Sequence, residues 1–174
     1  MVDDSIASAD TGLDRDVFLR TLVRELAGTL EETVGLDDAA GYVSVVGQRI
    51  GEWIDRSYRR ALAVDRLDRG QVADVLSDLK HRIEGTFQLV DDAGDVLTYH
   101  NGRCPFEDRV EGRPSMCMMT SNVFGVIASE NLGYAKVELD ETIAQGGGRC
   151  VVRVHLDPSE AADVRGREYF AVDA

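Results

Sequence analysis

Cysteine, proline, histidine and tryptophan are all scarce in this 174-residue chain, at three, three, three and one copies. An odd, small number of cysteines cannot build the disulfide framework of a small secreted domain; it suits a cytosolic metal or redox site. Positive charge is also short, with 19 Lys and Arg against 32 Asp and Glu, a net charge of −13. Such a surface lacks the basic face that nonspecific binding to nucleic acid or anionic membrane requires. No apolar run approaches the roughly 18 residues of a membrane span, and the acidic start lacks the pattern of a signal peptide. The expectation is a cytoplasmic protein that meets neither nucleic acid nor membrane directly.

What is present is ordinary globular usage, 44% hydrophobic and 29% charged, long enough for one well-buried core. Residues 1–12 are polar and aperiodic and read as a flexible tail. A single domain is expected over 13–157, followed by an acidic C-terminal tail over 158–174 with room for a short helix or strand. Val17, Phe18, Leu22, Leu26, Leu30 and Val34 recur at helical spacing from Asp14, and Gly35 supplies a stop. A second helix is expected from Asp38 to Leu62 and a third from Arg69 to Arg82. Gly47 and Gly51 inside the second each cost about 1 kcal/mol against alanine. That cost points to close approach by another element or a partner subunit, or to a local kink.

The period then changes. Thr86–Val90 and Val96–His100 are β-rich runs around Asp91-Asp92-Ala93-Gly94-Asp95, a hairpin signal. Ser115 is a candidate N-cap for a helix through Asn131, closed by Gly133. Tyr134–Ile143 and Cys150–Leu156 read as two further strands about a turn at Gly146-Gly147-Gly148. The layout is α+β: N-terminal helices followed by a β-β-α-β-β antiparallel sheet packed against helices.

The chemistry-bearing residues are the thiols. Cys104 opens a loop before Pro105, Cys117 falls in the first turn of a helix, and Cys150 follows three glycines. A helix N-terminus favours thiolate, the metal-binding form. The spacing is not that of a zinc ribbon, and three unrelated buried cysteines is the competing reading. If the thiols converge, His100, Asp140 or Glu141 could supply a fourth ligand to zinc; His100 and His155 otherwise read as surface residues and His81 as a helix-face residue. Met116, Met118 and Met119 around Cys117 read as core packing or as an adaptable apolar lining for a small ligand. No Ser/His/Asp arrangement is present and no base can be named for a Cys117 nucleophile, so no enzyme is expected.

Val46-Gly47-Gln48-Arg49-Ile50-Gly51, Asp78-Leu79-Lys80, Cys104-Pro105-Phe106, Arg113-Pro114-Ser115-Met116-Cys117-Met118-Met119-Thr120, Asn131-Leu132-Gly133-Tyr134-Ala135-Lys136-Val137 and Thr142-Ile143-Ala144-Gln145-Gly146 resemble the methanogen output domain 1 family. The resemblance covers roughly residues 14–157. It implies a signalling domain, since that family usually sits behind receiver or PAS sensor domains. More distantly, the order of Cys-Pro-Phe, Cys and Gly-x-x-Cys is similar to 4-vinyl reductase-type ligand-sensing domains, which hold zinc with cysteines and a glutamate. It is also similar to the cysteine-bearing half of iron–sulfur repressors. Those repressors carry a further cysteine where this chain has Tyr134-Ala135-Lys136, and a winged-helix DNA reader that nothing here supplies. The resemblance thus implies a regulatory domain with an iron–sulfur cluster or zinc on Cys104, Cys117 and Cys150. It also implies a homodimer that acts through a signalling protein partner. The alternative is an apolar small-molecule module with structural zinc.

Overall fold

The computed structural model describes residues 4–171; the outermost three residues of each expected tail lie outside them. A single helical turn, α1 (Asp4–Ala7), precedes α2 (Arg15–Val34). The Asp14 carboxylate caps α2 by accepting from the Val17 amide at 2.8 Å, as its position before the apolar stripe predicts. Gly35, at φ 84°, breaks the chain into α3 (Leu36–Leu62). Next, α4 (Arg69–His81) opens with a capping box: Asp68 accepts from the Gln71 amide, and the Gln71 side chain accepts in return from the Asp68 amide.

The sheet strands are β1 (Gln88–Ala93), β2 (Val96–Asn101), β3 (Tyr134–Glu141), β4 (Cys150–His155) and β5 (Arg167–Phe170). They run β1-β2-β4-β3-β5 across the sheet, every pair antiparallel. Helix α5 (Cys117–Leu132) lies between the sheet and α3, and ten of its residues are buried, so no polar face interrupts its sequence. The α+β layout read from the sequence is the observed one.

Two details differ from expectation, and a third is one the sequence leaves open. The hairpin turns on Gly94-Asp95 alone, so Asp91 and Asp92 belong to β1; a bulge between Leu89 and Asp91 absorbs the register and Arg69 pairs with Asp92. Ser115 does not cap α5. It lies in a 3₁₀ turn, Pro114–Met116, whose backbone docks on α2 through a Ser115 amide to Glu31 bond of 3.3 Å. The segment expected as a C-terminal tail contributes β5, because Tyr169 packs over Gly125 and its hydroxyl bonds to Ser121 at 2.9 Å.

The core is sheet against α5. Leu97 and Tyr99 of β2, Val152 and Val154 of β4, and Ala135 and Val137 of β3 meet Phe124 and Ile127. Phe124 is fully buried and takes the edges of Phe87 and Tyr99 at 5.5 and 5.4 Å between ring centres, each contact worth about 0.5–1.5 kcal/mol beyond its area. Gly47 and Gly51 let α3 sit on α5: an added Cβ would stand 2.8 Å from Asn122 Cβ and 3.0 Å from Val126 Cβ. The close approach they signal is within the chain and needs no partner subunit.

Candidate functional site

Three separate elements deliver the thiols. Cys104 follows β2 in a loop fastened to the end of α4. Thr86 Oγ1 accepts from the Gly102 and Arg103 amides, the Arg103 guanidinium donates to the Glu84 carbonyl, and Pro105 packs on Gly85. Cys117 is the first residue of α5, and Cys150 is the first of β4. Each is half-buried and none is in a disulfide. Cys104 and Cys117 pack in a small apolar cluster with Ala27, Val110, Met116 and Ala144. Cys117 meets the Thr142 hydroxyl, and the Cys150 sulfur accepts from the Ile143 amide at 3.5 Å.

All three thiols lie within electrostatic reach of one another and of one amine, Lys80 Nζ. Lys80 is only 4% exposed. Its ammonium donates to Thr120 Oγ1 at 2.8 Å and lies 5.1 and 5.4 Å from the ring centres of Phe87 and Phe124. Burial pulls its pKa down to about 8, against the thiols, which favour the charged form. Burial also pushes Cys117 up to about 12 and raises Cys104.

The proposed fourth ligands are not brought to this place. Residues opposed across an antiparallel pair share a face of the sheet. Cys150 opposes Asn101, which is buried on the helix side with Leu97 and Tyr99. His100 and Glu141 both oppose Val151, one residue further on, and so belong to the far face. There Glu141 pairs with Arg149 at 3.4 Å and Asp140 with Arg153 at 2.9 Å. His155, expected at the surface, is 7% exposed on that same far face, with Nε2 3.5 Å from Glu138.

Among the described residues no group of three or more His, Cys, Asp or Glu side chains stands ready to hold a metal ion. What the thiols have around them is a buried cation within electrostatic reach and, on the strand position opposite Cys150, the Asn101 amide nitrogen, buried and without a hydrogen-bond partner among the described residues. Sequence reading missed Lys80 and Asn101, although both carried a signal. Lys80 continues the Val72, Leu76 stripe at four-residue spacing, and Asn101 continues the Leu97, Tyr99 alternation. A polar residue at an inward position is the mark of a site or a network.

A second feature lies between α2 and α3. An apolar groove of about 410 Å³ is lined by Leu26 and Leu30 of α2, Val46 and Ile50 of α3, and Phe106, Met116 and Met119. The methionines flanking Cys117 therefore divide: Met116 and Met119 face this groove, while Met118 lines a different depression, near β3. Among the described residues no helix is long and apolar enough to cross a membrane.

The family model of methanogen output domain 1 matches residues 22–155, most of the chain. The chain belongs to that family, and its role is that of an output domain in regulation. No curated protein matches it in sequence. Sixteen chains of known structure match its fold. One is a trafficking protein particle complex subunit 3 from Naegleria fowleri covalently bound to palmitic acid, at 11% identity and a TM-score of 0.57, covering 88% of this chain and 98% of that one. At that identity the likeness is one of fold.

Proposed function

We propose that this member of the methanogen output domain 1 family is a sensor whose output state is set at Cys104, Cys117 and Cys150, which would hold a metal ion or an iron–sulfur cluster. What supports the reading is that three thiols, from a loop, a helix start and a strand start, lie in electrostatic reach of one another and of one buried lysine, which has no carboxylate partner among the described residues. When bound, such a group would supply redox or ligand-exchange chemistry. The chain's own part is mechanical. Cys104 is tied to α4 through Thr86 and Arg103, and the turn before Cys117 is tied to α2 through Glu31. Drawing the thiols together or letting them part moves that loop and turn. The change would pass to the outer faces of α2 and α3, where Phe18, Tyr42 and Trp53 are exposed and a second copy of the chain could dock. Light scattering of loaded and stripped protein tests the homodimer.

Elemental analysis of anaerobically purified protein tests the site. The expected result is iron with sulfide, or zinc, in near-stoichiometric amount, lost in Cys117→Ser. Metal-free, colourless protein with unchanged melting in all three Cys→Ser variants would sink the reading.

The groove supports a second reading, in which the regulatory ligand is an aliphatic chain. Its walls are apolar and its volume suits a small lipid, and the fold-mate from Naegleria fowleri is bound to palmitic acid. Mass spectrometry of organic extracts from purified protein checks it: a retained fatty acid favours this reading, and an empty extract with no uptake of added palmitate rejects it.

A further inference from the structure

A helix that served only its own core would bury its apolar stripe. On α2 only Ala27 and Gly28 are buried, while Phe18, Leu22 and Leu26 are 54%, 43% and 57% exposed. On α3, whose inner side meets α5 at Gly47 and Gly51, Tyr42, Val46 and Trp53 are 57%, 48% and 63% exposed. Residues 23–30 of α2 and 42–50 of α3 line one groove, so the two stripes form a single face. A continuous apolar face on this scale marks a docking surface. Two helices about 30 Å long and about 10 Å across offer on the order of 600 Å² in projection, at the lower end of what a specific interface buries per partner.

The charges on the face say what covers it. Along α3, Tyr42, Val46, Arg49, Trp53, Arg56 and Arg60 follow at alternating spacings of four and three, the spacing of a helix-packing seam. That seam is basic in a chain of net charge −13. Along α2, Phe18, Leu22, Glu25, Thr29 and Glu32 keep the same spacing, and their charges are acidic. Glu25 and Arg49 are both exposed, and neither has an ion-pair partner among the described residues. Only Gly35 separates the helices and their shared groove lies on both sides of it, so they run antiparallel with Glu25 level, within a turn, with Arg49. A two-fold axis parallel to the helices keeps every residue at its level. It lays α2 of one copy on α3 of the other and sets Glu25 beside the second copy's Arg49, twice per dimer. Packing α2 on α2, or α3 on α3, would bring like charges together. We propose that a second copy of the chain covers this face, α2 of each lying on α3 of the other, so that each copy roofs the other's apolar groove. This pairing rests on the reading of these outer faces as a homodimer surface and is independent of what the thiols hold.

Trp53 is the only tryptophan in the chain and stands on the α3 seam, so its emission reports whether this face is covered. The test follows sedimentation velocity and tryptophan emission through a dilution series of wild type, Glu25→Arg, Arg49→Glu and the double variant, with circular dichroism as the check of folding. Wild type should be a dimer whose emission moves to longer wavelength as it dissociates. Each single variant sets like charges together twice, and its dissociation constant should rise about tenfold or more. The double variant restores opposite charges and should return close to the wild-type dissociation constant. Should one single variant fail to fold, the other and the Trp53 emission decide. Wild type that is monomeric at every concentration overturns this pairing and the homodimer reading together. A wild-type dimer overturns the pairing alone if its Trp53 emission ignores dissociation, if the single variants match it, or if the double variant is no tighter than they are.

Discussion

Asn131 donates its side-chain amide to Asp55 at 2.6 Å while its carbonyl oxygen accepts the Leu67 amide at 2.7 Å, and all three residues are buried. One side chain on α5 thus joins the middle of α3 to the connection before α4. Asp55, 1% exposed, has Arg59 at 2.8 Å as its only charged partner among the described residues. Asn131→Leu would leave a buried carboxylate short of a donor and orphan a backbone amide. The expected loss is about 3 kcal/mol, read as a lower urea midpoint at pH 7. A change below about 1 kcal/mol would mean that water replaces the amide.

Gly125 is the place where β5 touches α5. An added Cβ would run into the Tyr169 ring at Cδ2, far inside contact distance. Gly125→Ala should displace the tyrosine, break its bond to Ser121 and destabilise by about 2–3 kcal/mol. In a Tyr169→Ala background the same change should cost less than about 1 kcal/mol, because the clash is gone. Equal costs in the two backgrounds would place the strain elsewhere in α5.

The helices and strands were legible because each has a face. The stripe of α4 and the alternation of β2 survive as observed, whereas the periodicity of α2 located the helix but not its buried face: Phe18, Leu22, Leu26 and Val34 are exposed, and Ala27 and Gly28 are the residues it buries. The α5 span was legible from Gly133 and its apolar content, although burial on nearly every side left it no amphipathic pattern. The strand β5 was legible only as room for a short helix or strand: four residues, Arg167–Phe170, held by one tyrosine over one glycine, give no periodic signal to choose between them. At the candidate site, the thiols could be named from their turn-forming neighbours, but the sheet face taken by the residues around them could not. His100 and Asn101 are adjacent in sequence and on opposite faces of β2, so only the register tells that Asn101, and not His100, shares the face of Cys150. Lys80 was hidden by the same logic, since a lysine at a helix end reads as a favourable charge near the dipole until the stripe it lies on is traced.

The α2–α3 groove gives a prediction that leaves the core untouched. Val46 lines it and is 48% exposed, so Val46→Glu should fold normally. A carboxylate there must be desolvated by any apolar occupant. Binding of a fluorescent fatty-acid probe should weaken by roughly tenfold, about 1.4 kcal/mol. Unchanged affinity in a folded Val46→Glu variant would show that the probe binds elsewhere.

Tyr58 gives the alkaline limit of one tertiary contact. Its hydroxyl donates to Asp78 Oδ2 at 2.6 Å, and Arg82 Nε donates to the same oxygen at 2.6 Å. Burial, then the bond to Asp78, pushes Tyr58 up to about 12 from an ordinary value near 10. The folded value lies above the unfolded one, so the contribution to stability is fully present below about pH 10 and is lost as pH rises toward 12. Because the phenol is only partly buried, solvent still screens the contact and about 1 kcal/mol is a suitable magnitude. Tyr58→Phe should therefore be less stable than wild type by about that amount at pH 7, with the gap narrowing above pH 10. Urea midpoints at pH 7, 9 and 11 measure it. A gap that stays constant across the three would assign the effect to packing against Leu79 and Ile83 in the adjoining hollow and not to the hydroxyl.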